Sequence, residues 1–266
     1  MSEKGRGYFI SLEGISGCGK STLAKKWLVP FFTGLGIESV HNAEPTSANA
    51  FGIAIRMAIE RQTFGAEHIQ NLKREIVHLL GKIDSFDGSE ALSRYLRHLA
   101  YIPKKLERHE SLSELDRQFL FLADGAMDIL GTIIPKLESG VFVIQDRFHL
   151  SGAAYGSAKG ELTPREIYDW RLVLLRQKHI VPDITFFIDV APETACKRLN
   201  ASGKTIDLYE GLESLRRVRT QYEEAIQVVN AFEKEKSNIV RVNGENSLES
   251  VCEEVKRALL ERGFLQ

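Results

Sequence analysis

Residues 14–21 read Gly14-Ile15-Ser16-Gly17-Cys18-Gly19-Lys20-Ser21, which fits the spacing G-x-x-x-x-G-K-[ST]. Glycines in such a loop let successive backbone N–H groups turn inward as an anion cradle. Gly14, Ser16, Gly17, Cys18 and Gly19 would build the cradle. The Lys20 ammonium is placed to reach β- and γ-phosphates, and the Ser21 hydroxyl is suited to ligate Mg²⁺. The residues before the loop, Tyr8-Phe9-Ile10-Ser11-Leu12, form a short β-type run. From Thr22 onward the apolar spacing is helical (Leu23, Trp27, Leu28, Phe31). A strand, a glycine loop and a helix N-terminus put the helix dipole on the phosphates. The segment therefore predicts a nucleoside triphosphate site, whereas a glycine-rich turn alone would leave the lysine and the hydroxyl unexplained. No N/T-K-x-D guanine-reading motif occurs, so ATP is the expected nucleotide.

Three further features could act on a second substrate. Asp146-Arg147 follows the apolar run Val141-Phe142-Val143-Ile144, at what should be the C-terminal end of a buried strand. Open α/β sheets place their ligands there. An aspartate at that point can organise metal-bound water or accept a proton, and an adjacent arginine can clamp phosphate oxygens. Phe121 could stack on a nucleobase, although an aromatic on an apolar helix stripe reads first as core. The polar stretch between Arg198 and Glu210 (Asn200, Ser202, Gly203, Lys204) has the composition of a loop that closes over phosphates, with Arg198 and Lys204 as charge donors. An ordinary solvated loop fits it equally well.

The elements that must position these groups alternate between strand and helix, which predicts a parallel sheet with crossover helices. Strands are expected at 8–12, 37–41, 141–144, 184–188 and 239–242. Helices are expected at 22–32, 50–60, 114–139, 163–180 (Thr163 as N-cap, Pro164 first), 192–200, 211–236 and 247–262. Pro45 bars the second strand from continuing in a central ladder. Residues 65–113 break the alternation, with helical patterns at 69–80, 90–99 and 103–108 and no strand. This predicts a helical insertion, either a lid, dimer contact or specificity element, or simply a peripheral packing element.

The bulk numbers agree. With 266 residues, 43% hydrophobic and 27% charged, the chain can fill one α/β core. A net charge of −1 argues against a dedicated nucleic-acid binder. Cys18, Cys196 and Cys252 are too dispersed for a disulfide framework, and the histidines show no metal-ligand spacing. There is no apolar leader and no run of membrane-spanning length. A cytoplasmic protein is expected, with no membrane and no nucleic-acid partner.

Taken together, several stretches resemble one family. They are Phe9-Ile10-Ser11-Leu12-Glu13 running into the glycine loop and Thr22, Glu44-Pro45-Thr46, and Asp146-Arg147-Phe148 with Ser151-Gly152-Ala153-Ala154-Tyr155. Two more are Asp189-Val190-Ala191-Pro192-Glu193 leading to Arg198, and Val242-Asn243-Gly244. The chain resembles the thymidylate kinases, P-loop nucleoside monophosphate kinases, over residues 8–62 and 114–262. The resemblance implies a three-layer α/β sandwich with a five-stranded parallel sheet, one kinase domain over 1–266 with a helical insertion at about 65–113. It implies transfer of the ATP γ-phosphate to a nucleoside monophosphate, dTMP first. Lys20, Ser21, Thr22 and the loop amides would hold ATP·Mg²⁺, with Ser21 and Asp146 as metal contacts. Asp146 and Glu13 would sit near the metal and the attacking oxygen. Glu44, Arg56, Phe121, Arg147, Ser151 and Tyr155 would line the acceptor site. Of these, Arg56 and Arg147 would grip its phosphate, Phe121 would stack on the base, and Tyr155 would pack against the deoxyribose. Arg198 and Lys204 would act from the lid. Homodimers are usual among the members, so a homodimer is one outcome here, and an interface covered or replaced by the insertion is the other.

The chain departs from the family at four points. Gly125 stands where an arginine hydrogen-bonds the thymine, and Gly156 where a polar residue often follows the sugar-packing aromatic. Leu208 follows the lid aspartate Asp207 in place of arginine, and Gly17 takes the place of a loop arginine used by one branch. Two rival functions follow. One is a P-loop kinase for another acceptor, whether a different deoxynucleotide, a nucleoside or a non-nucleotide. The other is a nucleotide-binding regulatory module that catalyses nothing.

Overall fold

A computed structural model describes residues 5–82, 90–203 and 210–265. Strand β1 (Phe9–Glu13) leads through the glycine loop into α1 (Lys20–Leu23), which passes by a π turn (Ala24–Leu28) into α2 (Val29–Gly34). Next come β2 (Ser39–Ala43), α3 (Ala50–Ile59), α4 (Ala66–Lys82) and α5 (Glu90–Glu107). Helix α6 (Glu114–Asp128) continues through a second π turn (Ile129–Ile133) into α7 (Ile134–Glu138). The chain then forms β3 (Phe142–Asp146), α8 (His149–Ser157), α9 (Pro164–Leu175) and β4 (Ile184–Asp189), followed by α10 (Pro192–Ala201), α11 (Leu212–Glu233), β5 (Ile239–Asn243) and α12 (Leu248–Glu261). Both π turns end two residues before a proline, Pro30 and Pro135. Proline has no N–H to donate and crowds the preceding turn, and a wider turn absorbs both effects without ending the helix.

The sheet has the order β2-β3-β1-β4-β5 and every pairing is parallel. The alternation in the sequence therefore yields the five-stranded α/β fold it predicts. β2 lies two residues later than expected, at 39–43, where Asn42 and Ala43 pair with Gln145 and Asp146. Residues 103–108 are not a separate helix, because α5 runs through Pro103. Helix α8 had no amphipathic signal, since Gly152, Ala153, Ala154 and Gly156 supply little side-chain contrast.

Every residue of β1 is buried, as expected for a strand covered on both faces. Ile10 and Leu12 enter one core with Ile144, Phe186 and residues of α8, α11 and α12. Phe9 points the other way, with Val143, into a core shared with α3 to α6. Ile69, Leu72, Ile76 and Leu79 of α4, and Leu92, Tyr95, Leu96, Leu99 and Ile102 of α5, fill that second core with helical spacing. Asp116 anchors the start of α6. It closes a capping box with Ser113 and binds His98 (2.7 Å) and Lys105 (2.8 Å) of α5. Among the described residues no helix is long and apolar enough to cross a membrane.

Near the end of β2, Asn42 Nδ2 donates to Asp128 Oδ2 at 2.7 Å. Burial, the largest cause, pushes the Asp128 carboxyl up to about 6, with the Asn42 bond resisting and Asp124 adding to the rise. A folded-state value above the unfolded one means that the stabilisation is complete below about pH 4. It is lost as pH climbs through about 6. Asp128→Asn removes that titration. Its stability should therefore rise relative to wild type by up to about 3 kcal/mol between pH 4 and pH 7. Urea denaturation of both proteins across that range checks this, and a difference independent of pH would contradict it.

Candidate active site

The glycine loop follows the central strand and turns on three residues with positive φ: Gly14 (137°), Gly17 (82°) and Gly19 (106°). At two of these a side chain is excluded by the backbone facing it. A Cβ on Gly14 would lie 2.6 Å from the Ile188 carbonyl oxygen, and one on Gly17 would lie 2.5 Å from that of Ala195. A Cβ on Gly19 would meet nothing within 4 Å, so its glycine serves only the dihedral angle. Lys20 is 5% exposed, and its Nζ donates to the carbonyls of Gly14 (2.9 Å) and Ile15 (3.0 Å), with Cys18 Sγ at 3.4 Å. The ammonium is thus held inside the loop it would serve. Cys18 is a buried free thiol, Gly17 and Thr22 are partly buried, and Ser21 is exposed at the start of α1.

Ser21 Oγ donates to Asp146 Oδ2, joining the first turn of α1 to the end of β3. A hydroxyl and a carboxylate converging there are hard oxygen donors of the kind Mg²⁺ takes, two or fewer at a time, with waters and phosphates completing its shell. No group of three or more His, Cys, Asp or Glu side chains able to hold a metal is found among the described residues.

Beyond Asp146 the chain kinks at Arg147, whose φ is 73°. The kink is fixed by Arg147 N donating to the Leu12 carbonyl at 3.0 Å. It turns the guanidinium toward the loop, with Nη1 to Gly14 O (3.2 Å) and Nη2 to Ser16 Oγ (2.9 Å), and lays it 4.6 Å over the Tyr155 ring. Tyr155 Oη in turn accepts from Ser16 N at 2.8 Å. Ser16, Arg147 and Tyr155 therefore form one cluster at the C-terminal edge of β1 and β3.

Glu13 lies beneath this cluster, fully buried. It accepts from the N–H groups of Phe148 (3.0 Å), Leu150 (3.2 Å) and Ser151 (3.1 Å), and from Ser151 Oγ. Those are first-turn amides of α8 that have no acceptor within the helix, so Glu13 caps α8. Burial raises its carboxyl, while the Ser151 bond and then Arg147 pull it down. Tyr222 from α11 reaches the same point, bonding Ser151 Oγ (2.6 Å) and Gly14 O (3.0 Å).

A cleft opens beside these residues, lined among others by Ser16, Glu44, Phe121, Arg147, Tyr155 and Arg171. The Glu44-Pro45-Thr46 segment is pinned by Asp124, which accepts from Thr46 N (2.9 Å), Thr46 Oγ1 (2.8 Å) and Asn49 Nδ2 (2.8 Å). Arg56, exposed on α3, donates to the Pro45 carbonyl at the cleft's edge. Phe121 is partly buried on α6 and packs on the second core. Burial drives the Glu44 carboxyl well above its usual range, with Arg171 as the opposing charge.

The structure thus brings Lys20, Ser21, Asp146, Arg147, Ser16 and Tyr155 into one region, with Glu44 and Phe121 across the cleft. Arg198 lies on α10, whose Ala195 and Leu199 face Gly17 of the loop, and it donates to the Gly244 carbonyl at 2.9 Å. Lys204 and the Asp207-Leu208 pair lie outside the described residues. Sequence reasoning missed Arg171 and Gln118, both buried in the cleft wall, and Tyr222 and Asp124 behind it. One signal was available for Arg171. It interrupts the apolar stripe Ile167, Tyr168, Leu174, Leu175 of α9, a position where a charge needs a reason.

The family model for thymidylate kinase matches residues 100–255. The chain is 36% identical over 159 residues to the "Probable thymidylate kinase" of Archaeoglobus fulgidus, covering 59% of this chain and 72% of that protein. It is 28% identical to the "Thymidylate kinase" of Leptospira borgpetersenii over 97% of both chains. It is also 31% identical to the "Probable thymidylate kinase" of Methanosarcina acetivorans, over 80% of this chain and 79% of that one. The second and third matches extend over most of the chain, and the family model includes Phe121, Asp146, Arg147 and Tyr155.

Proposed function

The chain belongs to the thymidylate kinase family, and from that premise we propose that it transfers the γ-phosphate of ATP to dTMP, giving ADP and dTDP. The observation that carries this reading is the joint presence of a phosphate loop and an acceptor cleft that share Ser16 and Arg147. A loop alone would suit any nucleotide-binding protein. An arginine that bridges loop and cleft can touch both the transferred group and its acceptor.

In this reading the loop amides of residues 14–21 and Lys20 orient the triphosphate and offset the charge of the leaving ADP. Ser21 and Asp146 would hold Mg²⁺, which supplies charge neutralisation on the β- and γ-phosphates when bound. Arg147, with Arg56 at the rim, would grip the acceptor phosphate in line with the γ-phosphorus. Phe121 would stack on the base and Tyr155 would pack against the deoxyribose, with Glu44 near the acceptor. Glu13 would act as a positioning residue, holding Ser151 and the start of α8. Arg198 and Lys204 are read as donors from the segment that closes over the phosphates. Phosphoryl transfer asks little covalent chemistry of the protein, so position and charge supply most of the rate.

The test is ADP release from ATP·Mg²⁺ with purified protein across dTMP, dUMP, dCMP, dAMP, dGMP, thymidine and no acceptor. Selective turnover with dTMP or dUMP is the expected result. Turnover only with thymidine, or only without acceptor, would reject the reading. Tight ATP binding with no turnover of any acceptor would favour a nucleotide-binding module.

A further inference from the structure

We propose that the acceptor base is read by Arg171 and Gln118, two side chains that reach into space left open by Gly125 and Gly156. The inference deepens the acceptor reading above and rests on it. Helices α6 and α8 each present a glycine to this cleft, Gly156 where any Cβ would collide with Gln118 and Gly125 where a Cβ would crowd Glu44 and touch Arg171. A Cβ on Gly156 would stand 2.1 Å from Gln118 Oε1 and 2.7 Å from Ile167 Cδ1. A Cβ on Gly125 would stand 3.2 Å from Glu44 Oε1 and 3.8 Å from Arg171 Nη1. Gly156 therefore makes room for the glutamine of α6, and at Gly125 a side chain longer than a methyl would contest the space beside the α9 arginine.

Both side chains are deeply buried, Arg171 at 7% and Gln118 at 3% exposure, and both line the same cleft as Phe121. Among the described residues, Arg171 Nε and Nη2 and Gln118 Nε2 have no hydrogen-bond partner, and neither does Glu44 Oε1. Buried donors without acceptors are costly, and a cluster of them in a cleft wall is best explained by a ligand that supplies the acceptors. The guanidinium is braced, lying 4.1 Å over the Phe148 ring, so it does not have to be ordered on binding. Glu44 provides its main opposing charge.

The donor set selects a chemical class. A pyrimidine with carbonyls at positions 2 and 4 offers an edge of acceptor, N–H donor and acceptor. The guanidinium can donate to one carbonyl. The glutamine amide can donate to the other carbonyl or accept from the ring N–H. Cytosine and adenine would turn an exocyclic amino group toward these donors, leaving both sides unpaired. The assigned ligand is thus a 4-keto pyrimidine nucleotide, read by its imide edge.

The test compares kcat/KM for dTMP, for dCMP, for N3-methyl-dTMP and for the dTMP analogue whose base lacks the 4-oxygen (5-methylpyrimidin-2-one). Wild type, Arg171→Gln, Arg171→Lys and Gln118→Met are measured, with ATP affinity followed by a fluorescent ATP analogue and folding by urea denaturation. Wild type should prefer dTMP over the deoxo analogue by 10-fold or more, and ATP affinity should be the same in all four proteins. Arg171→Gln should shrink that preference to about 3-fold or less, mainly through KM for dTMP, and Arg171→Lys should restore part of it. Gln118→Met should instead erode the preference for dTMP over its N3-methyl derivative. If Arg171→Gln fails to fold, the Arg171→Lys and Gln118→Met preferences decide the matter. Variants that keep the wild-type preferences would overturn the inference and leave the kinase reading standing. A wild type that prefers dCMP would overturn the inference and dTMP as the acceptor, leaving only phosphotransfer to a nucleoside monophosphate. Silence of wild type on every nucleoside monophosphate would reject the kinase reading, and this inference with it.

Discussion

Lys20→Ala should lower kcat for transfer from ATP to dTMP by about 10²–10³-fold, the usual cost of removing one donor aimed at developing charge. The ammonium lies inside the loop, held by the Gly14 and Ile15 carbonyls, so its position is set by the backbone that would bind the phosphates. Lys20→Arg keeps the charge, but its planar fork is wider than the ammonium and should rescue little. Stability should move by no more than about 1 kcal/mol, because both buried carbonyls keep another donor, Gly14 O from Arg147 Nη1 and Tyr222 Oη and Ile15 O from Cys18 N. The coupled ADP assay and a urea titration check both halves. Phosphotransfer near the wild-type rate would show that the loop is not the phosphate site.

Glu13→Ala should destabilise the protein by roughly 3–5 kcal/mol, the largest effect on folding expected of any single residue of the site. Its carboxylate is the acceptor for three buried amides of the α8 N-terminus, and alanine would leave all three bare. Burial disfavours the charge, as the raised pKa shows, but the bonds lost with it outweigh the desolvation recovered. Glu13→Gln keeps one acceptor oxygen and should cost only about 1–2 kcal/mol. Activity should fall along with stability, since α8 carries Ser151 and Tyr155. Urea midpoints for the two variants decide it, and an alanine variant as stable as wild type would refute the capping role.

The parts legible in the sequence were those with local causes. The strand, glycine loop and helix of residues 9–34 announce themselves because three glycines, a lysine and a serine at fixed spacing have few other uses. The apolar run before Asp146 located the second half of the site by the same local logic. Helix α8 was not legible, because its order comes from Glu13, a residue more than 130 positions away, and not from its own small side chains. Phe121 read first as core and only through the family resemblance as a platform, since a helix periodicity says which face is apolar but not what faces it.

Gly125 and Gly156 illustrate the boundary most clearly. As letters they are two missing polar side chains. In the folded chain they are the space into which Arg171 and Gln118 extend. The sequence by itself determined the α/β class, the phosphate loop and the end of the sheet where the site lies, because backbone propensity, apolar periodicity and a contiguous motif act over a few residues. Only the tertiary structure decided which side chains line the acceptor cleft and that Glu13 caps a helix. It alone decided which distant residues stand opposite the glycines, because those facts depend on packing between helices whose order in space is not their order in the chain.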